Sequence, residues 1–166
     1  MKNELPECCK KEICAAFTGH RLKKLPFGGD ETSPAFMRMR ENLRESISDA
    51  YAEGKRYFLS GMADGVDTYT AELVLDLKNA LPGIKLVCVY PYPPFSERQK
   101  RIGGFADCSI VLSDEYTKNC FHIRNNFLIE HSSLLIAVFN GIKTGGTYYT
   151  VNAAKRAGIR VIEIPI

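Results

Sequence analysis

The part of the chain that decides the fold runs from residue 57 to residue 90 and reads YFLSGMADGVDTYTAELVLDLKNALPGIKLVCVY. It opens on a short apolar run at residues 57–59, continues through a glycine-rich turn, and closes on a second apolar run at residues 84–90. Between these runs, apolar residues recur at helical spacing from about residue 63 to residue 79. This order of strand, helix and strand predicts two parallel strands joined by a crossover helix.

The same alternation of apolar runs and helical patterns continues on both sides of this stretch. The apolar runs are nearly continuous, as is typical of strands buried on both faces of a parallel sheet. The predicted strands are residues 13–17, 57–59, 84–90, 109–112, 134–139 and 160–164. The predicted helices are residues 34 up to a stop at Gly54, 63–79, 97–105, 121–130 and 146–157. We therefore predict an α/β fold, a three-layer sandwich with a mainly parallel sheet of about six strands and helices on both faces.

Length and composition fit one globular domain. The chain has 166 residues, and no repeat or linker divides it, so we expect a single domain over residues 1–166 that begins with a flexible N-terminal segment, residues 1–11. Hydrophobic residues make up 45% and charged residues 25%, which excludes a disordered chain, a collagen-like repeat and a coiled coil. The longest apolar run is far shorter than the roughly 20 residues of a membrane span, and no signal peptide is recognisable. We expect a cytoplasmic protein with no membrane partner.

Neither the cysteines nor the net charge indicates a special class of protein. The six cysteines are scattered, and those near the N-terminus form no CxxC pair with a nearby histidine, so we predict reduced thiols and no metal site. Lys and Arg number 22 against 19 Asp and Glu, giving a net charge of +3. This balance is too mild to indicate a nucleic-acid partner by itself.

Unusual polar residues and glycines follow several of the predicted strands. In an open parallel sheet, ligands bind beyond the carboxyl ends of the strands, so these loops should converge on one edge. The first strand is followed by Thr18-Gly19-His20-Arg21, the second by residues 60–67, and the fifth by a turn at residues 140–147. This convergence predicts a ligand site at the carboxyl edge of the sheet.

Two glycine-rich turns at that edge are candidate anion sites. Gly61 and Gly65 bracket the start of one predicted helix, and Gly145-Gly146-Thr147 opens another. Free backbone N–H groups and the positive end of the helix dipole favour an anion there. The alternative for the first turn is a tight strand-to-helix connection with an aspartate as cap. Together the two turns favour a nucleotide or a phosphosugar as ligand.

Charged residues near these turns suggest further roles. Asp64 and Asp67 are three residues apart, so on the first turn of a helix they would share a face. Asp67 is the candidate acceptor for a ribose hydroxyl, and the alternative is charge–dipole stabilisation of the helix start. Arg21 could clamp a phosphate, whereas a lone histidine such as His20 is more often only hydrogen-bonded. The segment Tyr90-Pro-Tyr-Pro-Pro-Phe95 could form a stacking wall for a base or a rigid rim.

Four motifs in this order resemble a known family. Thr-Gly-His-Arg at 18–21, Ser-Gly-Met-Ala-Asp-Gly-Val-Asp at 60–67, Arg124-Asn125 and Gly-Gly-Thr at 145–147 resemble the YpsA-like family of the SLOG superfamily. The superfamily consists of Rossmann-like domains and includes DprA and the LOG phosphoribohydrolases. The resemblance extends over residues 13–164. No Walker A motif and no GxGxxG motif is present, so an ordinary NTPase or NAD dehydrogenase is not expected.

The resemblance implies a Rossmann-like domain that binds a nucleotide or a nucleotide-derived ligand and has a sensing or regulatory role. No cofactor is expected to be required, and a homodimer is expected from the superfamily alone. The predicted ligand-binding residues are Gly19, His20, Arg21, Ser60, Gly61, Asp64, Gly65, Asp67, Arg124, Asn125, Gly145, Gly146 and Thr147.

Two alternatives remain open at this point. LOG enzymes cleave nucleoside monophosphates and carry a Pro-Gly-Gly-x-Gly-Thr-x-x-Glu motif, but Thr150 stands where that glutamate would be. A hydrolase would therefore need Asp64, Asp67 or Glu130 as a substitute, since a threonine supplies no carboxylate. Catalytic residues are accordingly not assigned. A DprA-like binder of single-stranded DNA would show a steep salt dependence, and the mild net charge disfavours it.

Overall fold

The computed structural model describes residues 4–166, which form a six-stranded sheet. All neighbouring strands are parallel, and their order across the sheet is β4-β3-β2-β1-β5-β6. The strands are β1 (Cys14–Gly19), β2 (Tyr57–Ser60), β3 (Lys85–Tyr90), β4 (Cys108–Val111), β5 (Leu134–Val138) and β6 (Arg160–Ile164). The predicted parallel sheet is confirmed.

Five α-helices in the described part of the chain cover the two faces of the sheet. They are α1 (Pro34–Ala52), α2 (Val66–Asp76), α3 (Glu97–Phe105), α4 (Cys120–Glu130) and α5 (Gly146–Arg156). Buried residues of α1, α2 and α3, such as Met39 and Leu73, join one hydrophobic cluster with one face of the sheet. Leu128 of α4 and Val151 of α5 join the cluster on the other face. The predicted three-layer α/β sandwich is therefore confirmed.

The central strands are apolar throughout because both of their faces are buried. In β1, Phe17 packs toward α1 and α2, whereas its neighbour Ala16 packs toward α4 and α5. The Phe17 ring stacks on the ring of Phe58 in β2, with centroids 6.0 Å apart. Successive side chains of a strand point to opposite faces, so a strand between two helix layers has no position for a solvated residue.

The largest difference from the predicted elements is the length of α2. The sequence pattern predicts a helix over residues 63–79, but α2 begins at Val66 and ends at Asp76. Gly65, at the N-cap, has φ +123°, a conformation that no helix can continue. By contrast, α1 begins at Pro34 as predicted, with the Ser33 hydroxyl accepting a hydrogen bond from the Ala35 N–H at 3.2 Å.

The strand order creates a crevice beside β1. From β1 the chain moves to β2, β3 and β4 in one direction across the sheet, and it then crosses back to β5 and β6 on the other side of β1. The loops after β1 and β5 therefore leave adjacent strands toward opposite faces. Such a switch point opens a crevice at the carboxyl ends of the strands, where ligands bind in open α/β sheets.

The opposite edge of the sheet holds short turns that enter β2, β3 and β6. Each contains a glycine with positive φ: Gly54 at +105°, Gly83 at +84° and Gly158 at +75°. A Cβ at any of the three would meet nothing within 4 Å. These turns are therefore open to solvent and lie away from the crevice.

The N-terminal segment packs against the second face in part. Residues 1–3 of the segment that the sequence predicts to be flexible lie outside the described residues. Cys9 is buried, and its Sγ lies 3.2 Å from the Sγ of Cys14. All six cysteines are free thiols. From residue 4 to residue 166, no helix is both long enough and apolar enough to cross a membrane.

Candidate functional site

A cavity of about 410 Å³ occupies the crevice between β1 and β5. The end of β1 and the start of α5 both contribute lining residues. Nine of the predicted ligand-binding residues line it: Gly19, His20, Arg21, Asp67, Arg124, Asn125, Gly145, Gly146 and Thr147. Residues up to about 130 positions apart in the chain thus meet at the predicted edge of the sheet.

A second cavity of about 310 Å³ lies beside the first, toward β3. Arg21, Ala63, Phe121 and Arg124 line both cavities, so the two share a wall. Two further predicted residues, Gly61 and Asp64, line only the second cavity, together with the aromatic side chains that follow β3.

The remaining two predicted residues, Ser60 and Gly65, line neither cavity. The Ser60 hydroxyl donates to the carbonyl of Asp67 at 2.8 Å and accepts from the Met62 N–H at 3.2 Å. A Cβ on Gly65 would lie 2.6 Å from the carbonyl oxygen of His20. Both residues hold the turn after β2 against its neighbours.

The turn after β2 differs from the predicted anion site in two respects. The two N–H groups at the start of α2 are not free: Gly65 donates to the Thr68 hydroxyl at 3.3 Å, and Val66 donates to the His20 carbonyl at 3.2 Å. The prediction that Asp64 and Asp67 share a helix face is wrong, because the helix begins after Asp64. Asp64 is exposed, whereas Asp67 is buried on the first turn.

The start of α5 retains the features of an anion site. Gly145 is the N-cap with φ +90°, and its carbonyl accepts from the Tyr149 N–H at 3.1 Å. No acceptor among residues 4–166 bonds to the N–H groups of Gly146 and Thr147, which belong to the first turn and have no partner within the helix. These N–H groups and the helix dipole make the α5 end of the cavity electropositive.

Basic side chains strengthen this positive potential. Arg21, Lys23, Lys24 and Arg124 line the larger cavity, and Asp67 is the one carboxylate among its described lining residues. A Cβ on Gly145 would lie 3.3 Å from Lys24 Nζ, so this ammonium group lies beside the start of α5. The sequence analysis did not select Lys23 and Lys24, although two lysines follow the His-Arg pair after a single leucine and so indicated further positive charge at this edge.

Asp67 and Arg124 form a buried pair in the wall of the cavity. Arg124 Nη1 lies 3.8 Å from Asp67 Oδ2, which also accepts from the Ala63 N–H at 3.1 Å. Burial raises the pKa of the Asp67 carboxyl above its ordinary value, while the Arg124 guanidinium and the Ala63 N–H oppose that increase. Burial lowers the pKa of Arg124, but a guanidinium remains charged at physiological pH.

Arg124 also holds the turn after β2 in place. Its Nη1 donates to the Gly61 carbonyl, and its Nε donates to Asn125 Oδ1 at 2.8 Å. A Cβ on Gly61 would lie 2.6 Å from Arg124 Cδ, so a glycine is needed for this close approach. The two motifs that the sequence analysis singled out separately are therefore one packed unit.

Three largely buried residues each present a polar atom to the larger cavity that has no hydrogen-bond partner among residues 4–166. Every fully buried polar side-chain atom in the described part of the chain has a hydrogen-bond partner. The hydroxyls of Thr18 and Thr147 and the Oδ1 atom of Asp67 make no hydrogen bond to described residues, so they open into the cavity that they line. These three residues are 7–8% exposed. They offer two hydroxyl groups and one carboxylate oxygen to a ligand.

The residue at the position of the LOG glutamate does not reach the cavity. Thr150 is 2% exposed, and its hydroxyl donates to the Gly146 carbonyl at 2.8 Å. Of the three carboxylates considered as substitutes, Asp67 lines the larger cavity, Asp64 lines the second, and Glu130 is exposed at the end of α4. Within residues 4–166, no group of three or more His, Cys, Asp or Glu side chains is placed to hold a metal ion.

Comparison with known proteins gives a consistent result. A family model for YpsA, described as the YspA SLOG family, matches residues 15–161. A UPF0398 protein of Bacillus cereus (strain AH820) is 27% identical over 154 residues, which cover 86% of this chain and 83% of the relative. A UPF0398 protein of Ligilactobacillus salivarius (strain UCC118) is 23% identical over 124 residues, which cover 69% and 68% of the two chains.

The family model includes all four motifs as well as the residues that line the larger cavity. It matches the chain from the second residue of β1 to the second residue of β6. The protein therefore belongs to the YpsA family of SLOG proteins.

Proposed function

We propose that the larger cavity binds the phosphate-bearing end of a nucleotide or a nucleotide-derived ligand, and that the protein acts as a sensor of this ligand. The observation that carries the proposal is the start of α5. There, two free N–H groups, the Thr147 hydroxyl and the Lys24 ammonium meet beside one cavity. This combination suits a phosphate, because it supplies both positive charge and several hydrogen-bond donors.

The opposite side of the cavity suits a sugar. The Asp67 Oδ1 atom can accept a hydrogen bond from a ribose hydroxyl, the role that acidic residues have in dinucleotide-binding folds. The Thr18 hydroxyl, at the end of β1, can donate or accept in the same region. A sensing role is favoured over catalysis because Thr150 stands at the position of the LOG glutamate and is hydrogen-bonded within α5.

The test is a thermal-shift screen of the purified protein against nucleotides, dinucleotides and phosphosugars. A compound present at 100 times its dissociation constant should stabilise the folded state by about 2.7 kcal/mol. We expect Lys24→Met and Thr147→Val to weaken this shift. Lys143→Met is the matched control, because this exposed lysine precedes the same helix but does not line the cavity. The proposal fails if no compound shifts the wild type, or if both cavity variants respond like the wild type.

A second candidate function is hydrolysis of an N-glycosidic bond, and the position of Asp67 favours it. In that reaction water attacks the anomeric carbon, the bond to the base breaks, and the base leaves with a proton. An ionised Asp67 would stabilise the developing positive charge, and burial, which raises the pKa of its carboxyl, suits Asp67 to moving the proton. Chromatography of nucleoside monophosphates after incubation tests this. Free base released by the wild type but not by Asp67→Asn would establish the hydrolase, and no release would exclude it.

A further inference from the structure

An aromatic wall lines the second cavity. We define it as Tyr92 and Phe95, from the loop after β3, and Phe121, from the first turn of α4. The Tyr92 and Phe95 rings are nearly parallel, with centroids 6.1 Å apart and planes 9° apart. Tyr92 also contacts Phe121 at 6.1 Å. Phe95 is 68% exposed, whereas Tyr92 and Phe121 are half-buried, so the Phe95 ring is the part of the wall most open to solvent.

The wall is held rigidly. Three prolines in the same loop restrict the backbone on both sides of Tyr92. Gln99 fixes the end of the loop, because its Oε1 accepts from the Phe95 N–H at 3.1 Å. Its Nε2 donates to the Met62 carbonyl at 2.9 Å and so connects the loop to the turn after β2. The protein would therefore lose little conformational freedom when a ligand stacks on the wall.

The aromatic wall is continuous with the larger cavity. Arg21 and Arg124 line both cavities, and the Arg21 guanidinium lies 4.7 Å from the centre of the Phe121 ring. A ligand that starts at the positive end of α5 reaches the aromatic wall by passing Arg21. Its first part would meet donors and cations, and its second part would meet flat aromatic rings.

We infer that the aromatic wall is the nucleobase subsite, with Phe95 and Tyr92 as the stacking residues. This inference rests on the proposed function, because it assigns the second half of the ligand whose phosphate binds at α5. A nucleobase is the planar part of a nucleotide, and stacking on an aromatic side chain is the contact that every base can make. The sugar then lies between these two parts, at Asp67, whose carboxylate accepts from the N–H of the shared-wall residue Ala63.

The experiment separates the two halves of the ligand. Isothermal titration calorimetry with ribose 5-phosphate measures the phosphate and sugar contacts, and titrations with AMP, GMP, CMP and UMP add the base. Stacking of one base on an aromatic residue corresponds to an affinity gain of roughly 5- to 150-fold. We expect a gain of this size for at least one of the four nucleotides. Phe95→Ala should remove most of it and leave the affinity for ribose 5-phosphate unchanged.

Three further variants keep the result interpretable. Phe105→Ala is the matched control, since Phe105 is 72% exposed but lines neither cavity. Tyr92→Phe retains the ring and should retain the preference, whereas Tyr92→Ala should lose it. An unchanged affinity for ribose 5-phosphate shows that each variant is folded.

The possible failures are distinguishable. If neither ribose 5-phosphate nor any of the four nucleotides binds, the proposed function fails and the nucleobase subsite fails with it. If ribose 5-phosphate binds as well as all four nucleotides, or if the preference survives in both Phe95→Ala and Tyr92→Ala, the phosphate site stands and the nucleobase subsite is overturned.

Discussion

At the scale of single residues, the glycines of the candidate site have different functions although they look alike in the sequence. Gly145 caps α5 and borders the cavity, Gly61 allows the Arg124 side chain to pass, and Gly65 allows the turn after β2 to contact the backbone of His20. The sequence could predict that these glycines matter, because they cluster after strands. It could not predict which of them faces a ligand, since that depends on contacts between distant segments.

Gly65→Ala is expected to destabilise the fold. The substitution introduces strain at φ +123° and places a Cβ 2.6 Å from the His20 carbonyl oxygen, so we expect a loss of at least about 2 kcal/mol in the free energy of unfolding. Gly54→Ala is the control, because φ is +105° but nothing lies within 4 Å. It should cost about 1 kcal/mol. Urea unfolding measures both, and equal losses would contradict the role assigned to Gly65.

His20 is expected to make stability depend on pH. Burial, aided by the nearby Lys24 ammonium, lowers the pKa of His20 below its ordinary value, although the side chain of Asn140 opposes the shift. As the pH falls, His20 therefore binds a proton in the unfolded chain before it does so in the folded protein. The contribution of neutral His20 to the free energy of unfolding is thus complete above about pH 6.5 and is lost as the pH falls below that value.

The measurement is urea unfolding at pH 7.5 and at pH 5.5 in a buffer without phosphate. The wild type should lose more stability between these values than His20→Gln does. His122→Gln changes an exposed histidine and should behave like the wild type. An equal pH dependence in the wild type and His20→Gln would show that His20 does not titrate differently on folding.

At the scale of elements, α3 shows how a short helix with little intrinsic stability positions a site. It has nine residues, including Gly103 and Gly104, and Ile102 is its one buried residue. Its start is held by a reciprocal pair in which the Ser96 hydroxyl accepts from the Gln99 N–H and Gln99 Oε1 accepts from the Ser96 N–H. The sequence predicted the bounds of α3 correctly because this capping pair is local. It misplaced the start of α2 because the contacts of Gly65 are not local.

Gln99 is expected to connect two loops through its side-chain oxygen and nitrogen atoms. Gln99→Ala loses the bonds of Oε1 to the Phe95 and Ser96 N–H groups and the bond of Nε2 to the Met62 carbonyl. We expect it to destabilise the fold by about 2 kcal/mol. Gln99→Glu is the matched variant, since it keeps the acceptors at the helix start and replaces the donor to Met62 with a carboxylate oxygen that repels the carbonyl.

Hydrogen exchange distinguishes the two effects of Gln99. In Gln99→Glu, amides of α3 should stay protected, while amides of the turn at residues 61–64 should exchange faster. In Gln99→Ala both segments should exchange faster. Equal protection of residues 61–64 in the wild type and Gln99→Glu would mean that the bond to Met62 does not hold the turn.

At the scale of the whole molecule, the strand order determines the site, and this is what the sequence pattern could not provide. Apolar runs identified all six strands, because burial on both faces leaves a local signal. The adjacency of β1 and β5 leaves none, since their hydrogen bonds join residues about 120 positions apart. The sequence therefore placed Gly19 and Gly146 at the same edge of the sheet, and the sheet topology placed them in the same cavity.

The centre of the sheet is expected to carry much of the stability. Phe58 is fully buried in β2 and stacks on Phe17, so Phe58→Ala should lower the free energy of unfolding by about 3–5 kcal/mol. Phe105→Ala removes the same ring from an exposed position and should change it by less than about 0.5 kcal/mol. Chemical unfolding of both variants checks this, and a loss below about 1 kcal/mol for Phe58→Ala would contradict it.

The open glycine turns at the far edge of the sheet offer a practical handle on the protein. Gly54, Gly83 and Gly158 lie at the ends of the strands opposite the two cavities, and the space around each is empty. Exposed turns of this kind tolerate inserted sequence well. A short biotin-acceptor peptide placed between Ala157 and Gly158 would attach the molecule to a sensor chip with both cavities facing the flowing solution. Immobilised in one orientation, the protein could be used to capture its own ligand from a mixture of cell metabolites.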